Sequence, residues 1–310
     1  MTVLVFDVGG TRLKAGVVGA NGIASVTTVP TDATSVDALV DQMVAVGRDL
    51  LRAKRASAVG VSVKGIVDSE RGLLIQVNAP FAGLSGAPMA QRLADELGAP
   101  VRIDNDARMY ALGELRHGAG RGVENLVCLT LGTGIGVGVV IEGRLLRGKR
   151  GVLGILAGHI TVDADGPPCT CGSVGCLEAL IGSQGLVADA HARARRHPDS
   201  PLASESLDPE AIFAAASDGD AAALATVERF THLLGCGVVS LIHVYDPDLV
   251  VIGGGLSASA PQFLGDVQRF ADEHAWTQPK GRVQVVLSEL GDTAAMLGAA
   301  ELVNDAWETP

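Results

Sequence analysis

The feature that most constrains this fold is a plan that occurs twice. "TVLVFDVGGTRLKAGVVGANGIASVTTVP" (2–30) reads as two strands joined at Gly9-Gly10-Thr11, with a third strand after an Asn21-Gly22 turn. "NLVCLTLGTGIGVGVVIEGRLL" (125–146) repeats it: strand, glycine-rich turn, strand, then a turn at Glu142-Gly143. Behind the first copy, helical spacing over about 35–54 is followed by a strand in "ASAVGVSVKGIVD", a helix over 88–97, a strand ending near Asp104 and a helix over 107–116. Behind the second come helices around 183–196, 209–217 and 219–243, a buried strand in "PDLVVIGGGLSAS", a late strand in "RVQVVLSEL" and a closing helix over 292–305. Strands alternating with helices predict α/β layers, and the repetition predicts a duplicated domain with a cleft between the copies.

Composition narrows the class. The 310 residues are 47% hydrophobic and 19% charged, with a formal net charge of −11. The basic cluster in "RARARRHP" is too short for a phosphate footprint and reads as a solvated helix end, so no nucleic-acid partner is expected. No apolar run reaches the roughly 18 residues of a membrane span, and "MTVLVFDVGG" lacks a secretory leader's features, so no membrane partner is expected. A cytoplasmic location follows. There, thiols stay reduced, and five cysteines with three in "DADGPPCTCGSVGCLEAL" (163–180) point to metal before disulfide. With His159 upstream, Cys169, Cys171 and Cys176 form an H-x9-C-x-C-x4-C set, the donors of a closed, structural Zn2+ site. Gly172 and Gly175 free the backbone to wrap the ion, while Cys128 and Cys236 sit in apolar runs and read as core residues.

Three glycine turns follow strands. In "FDVGGTRLKAG", Gly9 and Gly10 let backbone N–H groups approach an anion, Thr11 adds a hydroxyl, Asp7 could hold a divalent cation through water, and Lys14 follows on the next strand. Taken alone, this stretch is more often a plain hairpin turn. Gly132, Thr133 and Gly134 in "LTLGTGIGVGV" form a second cradle, and Gly254 and Gly255 in "VVIGGGLS" a third. None is a P-loop. In "VRIDNDARMYALGE" (101–114), helix capping accounts for one of Asp104, Asn105 and Asp106 but not for three polar side chains at the mouth of an apolar strand. A carboxylate there could accept a proton from an attacking hydroxyl.

The three turns in this order resemble the two phosphate segments and the adenosine segment of the sugar kinase/Hsp70/actin superfamily. "GHITVDADGPPCTCGSVGCLE" (158–178) is similar to the signature of the ROK family (repressors, open reading frames and kinases), and the resemblance covers nearly the whole chain. It implies two actin-like, ribonuclease-H-like lobes, a smaller one over 1–107 and a larger over 108–310, with the closing helix packing back on the small lobe. It also implies ATP-dependent phosphorylation of a hexose or hexose-like hydroxyl, most simply the 6-hydroxyl, with Mg2+ at the phosphates near Asp7. Residue by residue, it makes Asp106 the base, places Gly65, Asn78, Asn105, His159 and Glu178 on the sugar, and puts His159, Cys169, Cys171 and Cys176 on zinc. A homodimer or homotetramer is the family expectation.

Two departures bear on specificity. Leu156 in "GILAGHI" stands where the family carries Glu, and Lys64 where it carries Pro, with about two extra residues after Asn78. Glucose is therefore expected to be a poorer substrate than an aminosugar or cyclitol. The competing classes are a sugar-responsive repressor, for which no preceding helix-turn-helix segment is expected, and a sugar sensor without turnover. The donor could be ATP, another nucleotide or polyphosphate.

Overall fold

The computed structural model describes residues 2–52, 54–77 and 82–304, and the chain forms two compact units. Unit 1 comprises 1–122, 144–155 and 289–310; unit 2 comprises 123–143 and 156–288. The helix over Asp106–His117 lies in unit 1 for its whole length.

Unit 1 begins with strands β1 (Val3–Val8), β2 (Arg12–Gly19) and β3 (Gly22–Pro30), then helix α1 (Val36–Leu51). Strand β4 (Ala58–Val63) precedes a short hairpin of β5 (Ile66–Asp68) and β6 (Leu73–Gln76). Helix α2 (Met89–Leu97), strand β7 (Val101–Asn105) and helix α3 (Asp106–His117) complete this run. The sheet order is β3-β2-β1-β4-β7, antiparallel across the first three strands and parallel from β1 onward. Parallel register sets Asp7 beside Ser62 and Val63 beside Asn105, so polar residues of β1, β4 and β7 collect at the carboxyl ends of three adjacent strands. In open α/β sheets this is where ligands bind. The apolar interior joins β1 and β4 to α1 and α2 through Leu4, Phe6, Leu39, Met43, Val61 and Leu93, all buried.

Unit 2 repeats the pattern with β8 (Leu126–Leu131) and β9 (Ile135–Ile141); β10 (Arg144–Leu145), an edge strand of the same sheet, begins the 144–155 segment of unit 1. Helices α4 (Leu177–Ile181), α5 (Ser183–Ala194), α6 (Pro209–Ser217) and α7 (Ala221–Tyr245) follow. Strand β11 (Leu249–Gly253), helix α8 (Leu264–His274) and strand β12 (Gln284–Leu287) close it. The sheet order, β10-β9-β8-β11-β12, matches that of unit 1 strand for strand. The repeated plan read in the sequence is thus a repeated topology. Phe213, Phe230 and Phe263 pack together with centroids 5.2 to 5.9 Å apart, so three of the six phenylalanines concentrate in this core. Helix α8 has no counterpart in the sequence reading, because Val267 and Ala271 are its only buried positions and its apolar stripe is thin. Among the described residues, no helix is long and apolar enough to cross a membrane.

The chain then returns to unit 1 with α9 (Ala294–Leu302), nearly every residue of which is buried. It lies against α3 and β4 at backbone distance. A Cβ at Gly298 would stand 1.8 Å from the Met109 carbonyl oxygen, and one at Gly60 would stand 1.9 Å from that of Ala299. Only glycine permits such an approach. Gly298→Ala is therefore expected to lower stability by about 1–3 kcal/mol, the range for overpacking. Gly19→Ala, which meets nothing within 4 Å, is the control in the same denaturant titration.

Candidate active site

Three acids gather at the ends of β1 and β7 in unit 1, and each is held differently. Asp7 accepts a hydrogen bond from Ser62 Oγ at 2.8 Å; burial still raises its carboxyl above the ordinary range, against the pull of that bond and of Lys14. Asp104 is fully buried and neutralised by two guanidinium groups, Arg108 Nη1 at 3.1 Å and Arg147 Nε at 2.7 Å. Asp106 starts α3 and remains partly exposed. Burial pushes its carboxyl up to about 6, with the Asp7 charge adding to the shift and the Ala107 N–H and Lys64 opposing it. A carboxylate poised near 6 is ionised at neutral pH and still basic enough to take a hydroxyl proton.

Asn105 fixes the direction of that carboxylate. Its Oδ1 accepts from the N–H groups of Ala107 and Arg108 as the cap of α3, while Nδ2 donates to Gly65 O and to Asp106 Oδ1, both at 2.9 Å. Both amide hydrogens and the oxygen are thus engaged, so Asn105 braces Asp106 and the start of α3. Gly65 contributes its carbonyl to this arrangement.

The glycine turns are partly self-satisfied. Gly9 N–H donates to Arg12 O at 3.0 Å, and Thr31 secures the turn by donating from Oγ1 to Gly9 O at 2.8 Å. Among the described residues, the N–H groups of Gly10 and Thr11 have no such partner and are the donors available to an anion. Lys14 Nζ, at 3.0 Å from Asp292 Oδ2, supplies the cation on the same side of unit 1. In unit 2, Gly132 N–H donates to Gly134 O, and Ser183 donates to Gly132 O from both N–H and Oγ. Thr133 and Gly134 keep their N–H groups. Gly254 has φ +88° and its backbone lies against Leu131, where a Cβ would be 2.4 Å from the Leu131 oxygen; this brings the turn at Gly254 and Gly255 beside the turn at 132–134.

His159, Cys169, Cys171 and Cys176 converge in unit 2, their ligand atoms all within 4.8 Å of one another. His159 Nδ1 lies 3.5 Å from Cys169 Sγ, and Cys171 Sγ lies 3.6 Å from Cys176 Sγ. Bonds of about 2.0 Å to nitrogen and 2.3 Å to sulfur in a tetrahedron give edges of roughly 3.5–3.8 Å, so the donor set fits zinc. The loop is tied by Cys169 N–H to Ser173 O at 2.8 Å and Gly175 N–H to Pro167 O at 2.8 Å. Two residues past Cys176, Glu178 Oε2 accepts from the Ile135 N–H at 2.9 Å, and its Oε1 lies 3.9 Å from His159 Nδ1. One carboxylate thus links the cysteine loop to the second glycine turn.

Of the predicted residues, Asn78 lies outside the described residues. Cys128 is a core residue, whereas Cys236 is only half-buried on α7, 3.8 Å from His232 Nε2, because its face of that helix is open. Sequence reading passed over Ser62, Thr31, Ser183 and Arg108. Ser62 alone left a signal, a hydroxyl inside the apolar run "AVGVSV".

Purified protein is expected to carry about one zinc per chain. Cys171→Ser should lower that content and the thermal midpoint together; an unchanged midpoint in metal-free protein would remove the structural role.

The ROK family model matches residues 3–306. Glucokinase of Thermotoga maritima is 32% identical over 306 residues, spanning 96% of this chain and 96% of that protein. N-acetyl-D-glucosamine kinase of Escherichia fergusonii is also 32% identical, over 313 residues that span 96% of this chain and 97% of that one. Among solved structures, a ROK family glucokinase from Streptomyces griseus in complex with glucose and AMPPNP has a TM-score of 0.83 at 31% identity, covering 97% of this chain and 99% of that chain. Its likeness carries the two-sheet, actin-like α/β architecture across the whole length. Turn by turn and from end to end, this chain belongs to the ROK family.

Proposed function

We propose that this chain transfers the terminal phosphoryl group of ATP to a hydroxyl of a hexose or hexose derivative, the 6-hydroxyl, with Asp106 as the base. The observation that carries this reading is the oriented Asp106 carboxylate with its pKa raised to about 6. The Streptomyces griseus relative, which holds glucose and AMPPNP together, supports the pairing of sugar with nucleotide.

Asp106 accepts the proton as the substrate oxygen attacks the terminal phosphorus. The bond from that phosphorus to the bridging oxygen breaks, and the electron pair leaves on the nucleoside diphosphate. The free amides at Gly10, Thr11, Thr133 and Gly134 suit phosphate oxygens, with Gly9 and Gly132 shaping the turns and Lys14 adding charge. The backbone at Gly254 and Gly255 suits the ribose and base. Asp7, a desolvated carboxylate, would hold Mg2+, whose chemistry is to neutralise charge on the phosphates. In unit 2, His159 turns Nδ1 to the thiols, which leaves Nε2 for a sugar hydroxyl, and Glu178 offers the oxygen not engaged by the Ile135 N–H. A cytoplasmic homodimer or homotetramer belongs to the same reading.

Substrate choice turns on Leu156. It lies in the turn of 3-10 helix over Ile155–His159, is 46% exposed and brings no acceptor. A sugar hydroxyl left unpaired there costs roughly 1–3 kcal/mol, or about ten- to a hundredfold in affinity. We read the preferred acceptor as an aminosugar or cyclitol; the aminosugar kinase of Escherichia fergusonii, as similar in sequence as the glucokinase, supports that class.

A coupled assay of ADP release across hexoses, aminosugars and cyclitols tests the reading. Asp106→Asn is expected to lower turnover by roughly 10²–10⁴. In the parent, kcat/KM should fall tenfold per pH unit below about 6. Lys64→Met should move that limb to higher pH, since Lys64 favours the ionised base. Linkage gives a second sign. A carboxyl raised in the folded state withdraws stability as pH climbs through about 6, so Asp106→Asn should gain stability over the parent at pH 7 and converge with it near pH 4. Parent-like turnover by Asp106→Asn would hand the base role to another residue.

Leu156→Glu is expected to raise kcat/KM on glucose about ten- to a hundredfold. A parent that prefers glucose, with no gain from Leu156→Glu, would overturn the assignment of substrate class.

A further inference from the structure

Helix α3 carries two fully buried charges of opposite sign, Arg108 and Glu114, and both are aimed at main-chain atoms of distant segments. Arg108 donates from Nε to Leu146 O at 3.1 Å, and from Nη2 to Arg147 O at 3.2 Å, Gly151 O at 3.1 Å and Leu153 O at 2.9 Å. Its Nη1 faces Asp104, whose carboxylate it shares with Arg147. Glu114 accepts from the N–H groups of Ala119 at 2.9 Å and Glu289 at 3.3 Å on Oε2, and from that of Leu290 at 3.0 Å on Oε1. Its own carbonyl accepts from Gly118 and Gly120.

The targets have one thing in common. The chain passes between its two units after Gly122, Gly143, Ile155 and Ser288. Arg108 holds the stretch 146–153, which lies between the second and third passages. Glu114 holds 118–120, just before the first, and 289–290, just after the fourth. Every passage therefore has its root in unit 1 tied to one helix, and the first residue of that helix is Asp106. A packed apolar pair would fill the same volume without the desolvation penalty of buried ions. It could not bond to irregular backbone, whose carbonyls and amides need partners once buried. Arg, with five donors in a rigid fork, and a carboxylate, with two accepting oxygens, are the side chains that can.

We propose that Arg108 and Glu114 are positioning residues that hold the roots of all four connections to the base-bearing helix, so that the base and the departing segments keep one geometry. The catalytic part of this rests on Asp106 being the base. The anchoring part does not.

The full chain is used for the test, as Arg108→Lys, Arg108→Met and Glu114→Gln, with native-state hydrogen exchange and steady-state ADP release measured side by side. Exchange is expected to quicken at least tenfold in peptides covering 144–155 for the Arg108 variants. For Glu114→Gln the rise should fall in 118–122 and 289–292, with β1 and β4 unchanged in all. On the best acceptor, kcat should drop at least tenfold while KM for that acceptor moves less than threefold. Arg108→Lys and Glu114→Gln keep their charge or part of their acceptors, and decide the matter if Arg108→Met does not fold. Exchange that rises uniformly, or not at all in these segments, overturns the anchor. A kcat within threefold of the parent, in a variant whose exchange has risen there, reduces the contacts to structure alone. A parent without turnover on any acceptor overturns the proposed activity instead, and leaves the anchor to be decided by exchange.

Discussion

Burying carboxylates at the carboxyl ends of β1 and β7, on either side of β4, is the constraint around which unit 1 is arranged. A desolvated acid either finds a cation, finds hydrogen-bond donors or takes up a proton. Asp104 takes the first course completely, between Arg108 and Arg147, and so becomes structural. Asp7 takes the second in part, through Ser62, and stays raised. Asp106 is left between courses, near 6, with Asp7 as an unfriendly neighbour. Three acids of similar surroundings in the sequence thus become a strut, a candidate cation ligand and a candidate base, and the difference lies in what strands and helices bring beside each.

Much of this was legible in the sequence because it is local. The strand–turn–strand plan, the cysteine loop and the cap at the start of α3 each involve residues within one short stretch, where spacing and residue type decide the conformation. The sequence also pointed to "IDNDA" as a cluster needing more than capping to explain it. It did not separate the roles within the cluster, since the partners that separate them are remote: Ser62 reaches Asp7 across 55 positions, and Arg147 reaches Asp104 across 43. Glu114 is further still from two of its three side-chain partners, Glu289 and Leu290, 175 and 176 positions along the chain. A thin apolar stripe hid α8 for the opposite reason: its pattern is local but faint.

A metal bound by the cysteine loop would act at a distance from its own ligands. Cys176 is the residue that opens α4, and Glu178 lies in the first turn of that helix. Because Glu178 also accepts the Ile135 N–H, the loop, the short helix and the start of β9 form one connected piece. An ion that fixed the three thiols would therefore also fix a glycine turn with no metal ligand of its own. The rigidity of such a tetrahedral site would be passed on through a single charge-assisted hydrogen bond.

The return of the chain to unit 1 through α9 has a consequence for synthesis on the ribosome. Unit 2 is an insertion, complete in sequence once residue 288 has emerged, whereas the core of unit 1 lacks a helix until residue 302. The face of β4 and α3 that α9 covers at backbone distance stays uncovered throughout that interval. Unit 1, whose strands are made first, is therefore completed after unit 2, and the nascent chain carries an open apolar seam until α9 has emerged. Domains generally fold as units, and exposed seams of this kind are what chaperones recognise. Vectorial synthesis thus places the burden of quality control on unit 1.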